Sequence, residues 1–313
     1  VTDRPRSRFL PGLAVLGCLA VAGLLAPLLA NDKPILVVGD GRIACPAAVD
    51  LPVLGTLLAR SGGGWPPQSL IIHAPIPYSY RGVRLEEALQ GPSGRHWMGT
   101  DALGRDIFAR LVHGASVSLL VGAGATLISL VLGSLLGGLA GIRGGLADLV
   151  LSRFIETLGC FPSFLLALAL VAVSGGAGLR SVVVAVGLGR TASAARFVRS
   201  EVLRFRGGVA WSAARSTGAS PARIALRHVL PAMAAPLLVQ AVFGMGQAIL
   251  LESGLSFLGV GVQPPTPSWG MLLAESRVSL ETAWWPVLFP SLALALSLGS
   301  LAWAADRASD LLD

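Results

Sequence analysis

The stretch Ser181–Arg199, SVVVAVGLGRTASAARFVR, decides how many times the chain can cross a bilayer. Ser181–Gly189 is apolar, but Arg190, Arg196 and Arg199 follow closely. A crossing of about 30 Å of hydrocarbon takes roughly 20 apolar residues, so hydropathy alone leaves this stretch open. Its surroundings are clearer. Phe9–Ala30, Ala115–Ile142, Val229–Leu251 and Thr282–Ala305 contain no Asp, Glu, Lys or Arg, and a further apolar run, Thr157–Leu179, follows directly on Glu156. The chain therefore has five spans or six, according to how residues 181–200 are read.

The charges decide between these readings, because basic residues in short loops and tails concentrate on the cytoplasmic side. With Arg4, Arg6 and Arg8 inside, counting crossings puts Arg143 and Arg153 inside and the turn Gly175–Arg180 outside. If residues 181–200 did not cross, the densest basic stretch, Arg190–Arg227, would lie outside, against that bias. The sequence thus predicts an all-α polytopic membrane protein with six transmembrane helices and both termini inside. Segment 31–113 becomes an exterior insertion between the first and second helices. It holds Lys33 and seven arginines, but also seven acids, and long loops are largely exempt from the charge rule.

Composition agrees with the bilayer as solvent. The 313 residues are 53% hydrophobic and 13% charged, with a mean hydropathy of +0.71, too apolar for a soluble globule. The net charge of +7 sits where membrane topology places basic residues and does not call for nucleic acid. Cys18, Cys45 and Cys160 form no disulfide pattern, and two of them lie within apolar runs. The first apolar run reads as a retained anchor. It is about twice as long as a signal-peptide core, and Leu28 stands where a small residue would precede cleavage after Ala30.

Three regions follow. Residues 1–30 are a cytoplasmic tail and the first transmembrane helix. Residues 31–113 are an exterior subdomain rich in Pro and Gly. Its end is predicted to be an amphipathic helix at the outer interface, since Leu103, Ile107, Phe108, Leu111 and Val112 fall at helical spacing while Arg105, Asp106 and Arg110 take the other side. Residues 114–313 are a five-helix core. Gly122, Gly124, Gly133, Gly137, Gly138 and Gly141 in its first helix predict close packing against a neighbour.

The interior loop 200–230, between the fourth and fifth spans, carries the most local information. Gly218 can end a short helix with positive φ, and Ser220 followed by Pro221 supplies an N-cap and first-turn residue for the next. A helix-turn-helix elbow results. Arg223 and Arg227, one turn apart, point the same way, and Trp211 with Ala214 is expected to offer an apolar face to a partner.

Catalytic chemistry is poorly supported. A phosphate-binding Walker loop needs a Lys after its glycines, and the one lysine, Lys33, follows Asn31-Asp32. His73, His96, His113 and His228 lack metal-ligand spacing. Gly91-Pro92-Ser93-Gly94 has the form of an intramembrane serine protease's Gly-x-Ser-Gly, but it lies in a polar loop and the final span has no His to act as base. An ion-coupled secondary transporter would place ionisable groups near mid-bilayer, whereas these spans are almost charge-free. Glu252, Ser253 and Ser256 are the candidates to face a translocation path, although a carboxylate at the outer end of a span is more often solvated or capping. Arg190 and Arg196, near an inner helix end, are expected to snorkel to the interface.

The loop resembles that of the inner-membrane permeases of ATP-binding-cassette importers, whose pattern is Glu-Ala-Ala, three residues, Gly, and later Leu-Pro. Ala213, Ala214, Gly218, Leu230 and Pro231 match, and Ser212 replaces the family Glu. The peptide and nickel branch is closer still. Gly99–Arg110 (GTDALGRDIFAR), Phe161–Leu168 (FPSFLLAL) and Leu255–Gly270 (LSFLGVGVQPPTPSWG) resemble its characteristic stretches. The resemblance implies the type I importer permease fold and a place in the bacterial cytoplasmic membrane. It implies that residues 212–214, Gly218, Ala219, Ser220, Pro221, Arg223, Arg227, Leu230 and Pro231 form an ATPase-coupling loop. A second homologous permease, two ATPase subunits holding ATP and Mg, and an extracytoplasmic binding protein are the implied partners. The chain itself would bind no cofactor or metal, and its cargo would be peptides or related small solutes, nickel complexes among them.

Overall fold

A computed structural model describes residues 10–39, 42–47, 70–176 and 178–310. The helices are α1 (Leu10–Leu24), α2 (Ala26–Leu29), α3 (Ile107–Arg143), α4 (Gly145–Gly159), α5 (Ser163–Val173), α6 (Leu179–Arg206), α7 (Val209–Ser216), α8 (Pro221–Ile224), α9 (Leu230–Phe257), α10 (Trp269–Ser276) and α11 (Trp285–Asp310). Among the described residues four stretches are long and apolar enough to cross a membrane: α3, α6, Pro221–Phe257 and α11. The stretch 181–199 lies wholly inside α6, an unbroken 28-residue helix.

Two apolar runs behave differently from expectation. Thr157–Leu179 does not form one helix, because α4 runs on to Gly159 and α5 starts again at Ser163, with an 86° bend between them. Pro162 is the cause, since its ring forbids continuation of the preceding turn and biases Phe161 away from helical dihedrals. At 11 residues α5 is only about 16 Å long, so it spans a bilayer only in company with α4. The first run gives a 15-residue α1, closed before the Pro27-containing turn of α2. Six separate full-length spans are thus not what the described helices present.

Thr100–Val112 departs from its expected form as well. No separate interfacial helix forms there, and Ile107–Val112 is the first stretch of α3. A three-stranded antiparallel sheet, order β2-β1-β3, adds strand structure to an otherwise helical chain. Its strands are β1 (Leu36–Gly39), β2 (Arg42–Ala44) and β3 (Leu70–Ile72), with Val37 opposite both Ala44 and Ile71.

The chain divides into two compact units. The first comprises the described parts of Val1–Gly12, Val121–Leu255 and Gly299–Asp313. Here small residues bring helices together. A Cβ on Gly133 would stand 2.6 Å from the Ala194 Cβ, one on Gly137 would collide with the Ala195 carbonyl, and one on Gly141 would meet the Val202 side chain. These glycines recur every four residues on one face of α3, so the α6 backbone can lie directly against it. Asp148 of α4 accepts a bidentate pair from Arg199 of α6, at 2.7 and 2.9 Å, a planar geometry that fixes orientation as well as distance. The outer face of α3 leaves Leu127, Val131, Leu135 and Leu139 exposed, apolar side chains suited to lipid or to another membrane subunit.

The second unit, Leu13–Leu120 with Ser256–Leu298, is organised around the stretch Gly99–Arg110. Asp106 accepts from the Ala109 N–H at 2.8 Å and so caps α3. Asp101 accepts from the backbone of Leu103 and Arg105 and from both the Arg105 and Arg110 side chains, each side-chain bond at 2.7 Å. Glu275 on α10 bonds the same two arginines, at 2.6 Å for Arg105. Arg110 is only 3% exposed, and its charge is balanced by these two carboxylates. Gly104 adopts φ +70°, and a side chain there would run into the Arg84 carbonyl.

Candidate functional site

The elbow is built as its sequence requires. Helix α7 ends in a Schellman arrangement, in which the Gly218 N–H donates to the Arg215 carbonyl (3.0 Å) and the Ala219 N–H to the Ala214 carbonyl (3.3 Å). Gly218 takes φ +73°. Ser220 then caps α8 by accepting from the Arg223 N–H at 3.3 Å, with Pro221 in the first turn. Ala225–Val229 widens into a π-turn before α9. Pro231 accounts for it: a proline has no N–H to give and its ring presses on the carbonyl four residues back, so the turn ahead of it opens.

Packing corrects one expectation. Trp211 and Ala214 do not present an outward apolar face; both are buried with Val198, Val202, Ile224, Val229 and Met233. Arg206 lies over the Trp211 ring at 5.3 Å and donates to the Gly141 carbonyl at 2.5 Å. The elbow's apolar side thus anchors it to α3, α6 and the start of α9. What it offers outward is polar and small: Ser212, Ala213, Gly218, Ser220, Pro221, Arg223 and Arg227 are exposed, as are Leu230 and Pro231, while Ala219 is half-buried. Beside it a groove of about 860 Å³ is lined mainly by apolar side chains, among them Leu130, Ile142, Val202, Val229 and Met233.

The residues singled out around Glu252 are not solvated. Glu252 is fully buried, Ser253 and Ser256 nearly so. Ser256 accepts from the Val262 N–H at 3.1 Å and holds the turn after α9. Arg190 does not snorkel either. It is 5% exposed and donates to the Gly244 carbonyl (2.6 Å) and the Gln247 side-chain oxygen (2.8 Å) of α9. Arg196 is exposed, near Ser193. Sequence reading assigned Arg190 by its distance from a helix end; only the facing helix reveals that it is enclosed.

Among the described residues no group of three or more His, Cys, Asp or Glu is placed to hold a metal ion, His96 included. His96 is instead a buried structural group, stacked on Tyr78 and 2.8 Å from Asp106. Glu87, 3.5 Å from the same ring, also meets Arg84 and Arg95. Burial by itself would raise the Glu87 carboxyl; the Arg84 hydrogen bond and the positive charges of Arg95, Arg84 and His96 overcome this and hold it below its ordinary value.

Comparison with known proteins decides what this elbow belongs to. Residues 130–313, which contain all of it, match the family described as binding-protein-dependent transport system inner membrane component. The chain is a member of that family. The permease is 40% identical to the dipeptide transport system permease protein DppC of Alkalihalophilus pseudofirmus, over 78% of its own length and 81% of the relative's. It is 41% identical to the di/tripeptide transport system permease protein DppC of Pseudomonas aeruginosa (72% and 74%) and 40% identical to the glutathione transport system permease protein GsiD of Pectobacterium atrosepticum (72% and 74%). The fold is shared with a chain of the MetNI methionine ABC transporter in an inward-facing conformation. That match has a TM-score of 0.54 at 21% identity and covers 63% of the permease and 94% of that chain. The permease is accordingly an inner membrane component of a binding-protein-dependent transport system.

Proposed function

We propose that the permease forms one half of the translocation path of an ATP-driven importer for short peptides or glutathione-like solutes. Two ATPase subunits, which carry ATP and Mg, drive it; a second homologous permease completes the path; an extracytoplasmic binding protein delivers the cargo. Peptide cargo is favoured over nickel complexes because the relatives named above are dipeptide, di/tripeptide and glutathione permeases. The chain crosses the cytoplasmic membrane six times with both termini inside, α4 and α5 together making one bent crossing and the first apolar run another. The elbow Val209–Ile224 is the coupling element.

The observation that carries this reading is the conformation of Gly218. Its φ of +73° places a tight reversal at the exposed tip of an element whose other side is packed against α6 and the start of α9. A push on the tip is therefore delivered to those two helices. No atom lies within 4 Å of a Cβ added there, so a substitution acts on the backbone alone. Gly218→Val should cost about 1–2 kcal/mol at that residue, since left-handed dihedrals disfavour a β-branched side chain. The expected outcome is a stable permease that binds its ATPase subunits weakly and imports labelled dipeptide at least ten times more slowly in proteoliposomes. Import at the wild-type rate would contradict the coupling role.

A further inference from the structure

Arg190 presents an electrostatic problem that packing does not solve. It lies in the middle of α6, a helix long and apolar enough to cross the membrane, and it is 95% enclosed. Its two hydrogen-bond partners among the described residues, the Gly244 carbonyl and the Gln247 amide oxygen, are neutral. Among the described residues no carboxylate pairs with it, in contrast to Arg110 and Arg199, each matched by acids. A guanidinium has five N–H donors, and these two bonds use only part of that capacity. An unneutralised charge enclosed at membrane depth is costly, and such residues mark substrate or ion pathways by default.

Its surroundings offer polar groups rather than acids. The Cβ position of Gly244 lies 3.4 Å from both Arg190 terminal nitrogens and 3.1 Å from the Thr126 methyl group. The glycine thus lets Arg190 and Thr126 close tightly against the α9 backbone where α3, α6 and α9 converge. The Thr126 hydroxyl is buried and has no hydrogen-bond partner among the described residues. Gln247, which holds the guanidinium, is on an exposed face of α9. An amide at that depth is poorly suited to lipid, so this face looks onto protein or water.

We infer that Arg190, held by Gln247 and Gly244, is an anion station that receives the carboxylate of a peptide-like cargo as it passes through the permease. The inference rests on the proposed function, from which the cargo class is taken. Every peptide with a free C-terminus brings the charge that Arg190 lacks. The planar guanidinium can offer a carboxylate two parallel hydrogen bonds, with the free Thr126 hydroxyl as a further donor. Arg190 is assigned to cargo contact, and Gln247 is a positioning residue.

Replacement of Gln247 by Glu separates this role from a merely structural one. The new carboxylate accepts the same hydrogen bond from Arg190, so a helix-to-helix lock survives or tightens. An anion station, however, becomes permanently occupied. In proteoliposomes holding the complete importer with its binding protein, Gln247→Glu is expected to lower import of Ala-Ala at least tenfold, with binding-protein-stimulated ATP hydrolysis within twofold of wild type. Arg190→Gln should lose import similarly, and Arg190→Lys, which keeps the charge, should retain a larger share than Arg190→Gln. Import by Gln247→Glu at near the wild-type rate would overturn the inference. If Gln247→Glu fails to assemble, Arg190→Gln decides by the same criterion. A wild-type complex that hydrolyses ATP but imports no peptide would instead refute the proposed cargo, a separate result visible before any variant is tested.

Discussion

Glu87 illustrates how a single side chain can report on a whole segment. It is held below its ordinary carboxylate value by Arg84, Arg95 and His96 in spite of its partial burial. A carboxyl group whose folded-state value is depressed contributes stability that is present above its unfolded value and lost as pH falls through the folded one. The stabilising contribution of Glu87 should therefore be complete near neutrality and disappear in acid below the ordinary carboxylate range. The check is thermal unfolding of the detergent-purified permease beside Glu87→Gln: the variant should melt lower at pH 7, and the gap should close at the acid end. Gly218 makes the complementary point. Its environment is empty, its φ is positive, and substitution there tests backbone conformation without disturbing any contact. Both residues were visible in the sequence, but only Gly218 announced its role, because the signal of a glycine before Ser-Pro is local. The role of Glu87 depends on arginines and a histidine brought to it by the chain's path.

At the scale of elements, the packing of α3 on α6 offers the sharpest expectation. Gly137 sits where a Cβ would collide with the backbone carbonyl of Ala195 and crowd the Arg199 N–H. A backbone cannot rotate aside as a side chain can, so relief requires the two helices to separate. Gly137→Leu is expected to destabilise the permease by 3 kcal/mol or more, beyond the usual roughly 1–3 kcal/mol for overpacking, and to lower its yield of folded protein in detergent. Leucine at Gly138, where nothing lies within 4 Å of an added Cβ, should be tolerated and serves as the control, read by the same size-exclusion profile. The sequence foretold a close approach from the glycine-rich run but not which glycines face the partner. The helical period alone cannot choose between neighbours such as Gly137 and Gly138. The same limitation hid the true orientation of the elbow. Trp211 and Ala214 share an apolar face by spacing, and whether that face points to a partner or to the protein's own α6 is set by tertiary contacts.

At the scale of the molecule, the proposed division of labour predicts strict dependence on partners. Proteoliposomes containing the permease alone should import no dipeptide with any ion gradient. Uptake should appear only when the second permease, ATPase subunits, binding protein and ATP are all supplied, as measured with labelled cargo. Uptake by the isolated chain would favour the ion-coupled alternative.

Membrane character, a helix over residues 181–199 long and apolar enough to cross, the elbow and the family were determined by the sequence itself, because each depends on local quantities: apolar length, the placement of arginines, turn chemistry and contiguous motifs. The tertiary structure alone decided the rest. It split the run Thr157–Leu179 at Pro162, drew Ile107–Val112 into α3, folded part of segment 31–113 into a small sheet, and enclosed Arg190 and Glu252. A proline's effect on a helix can be compensated or not, and an arginine near a helix end can reach water or be covered. In each case the outcome depends on which neighbour arrives, and nearness in space between residues far apart in sequence is what a linear pattern does not encode.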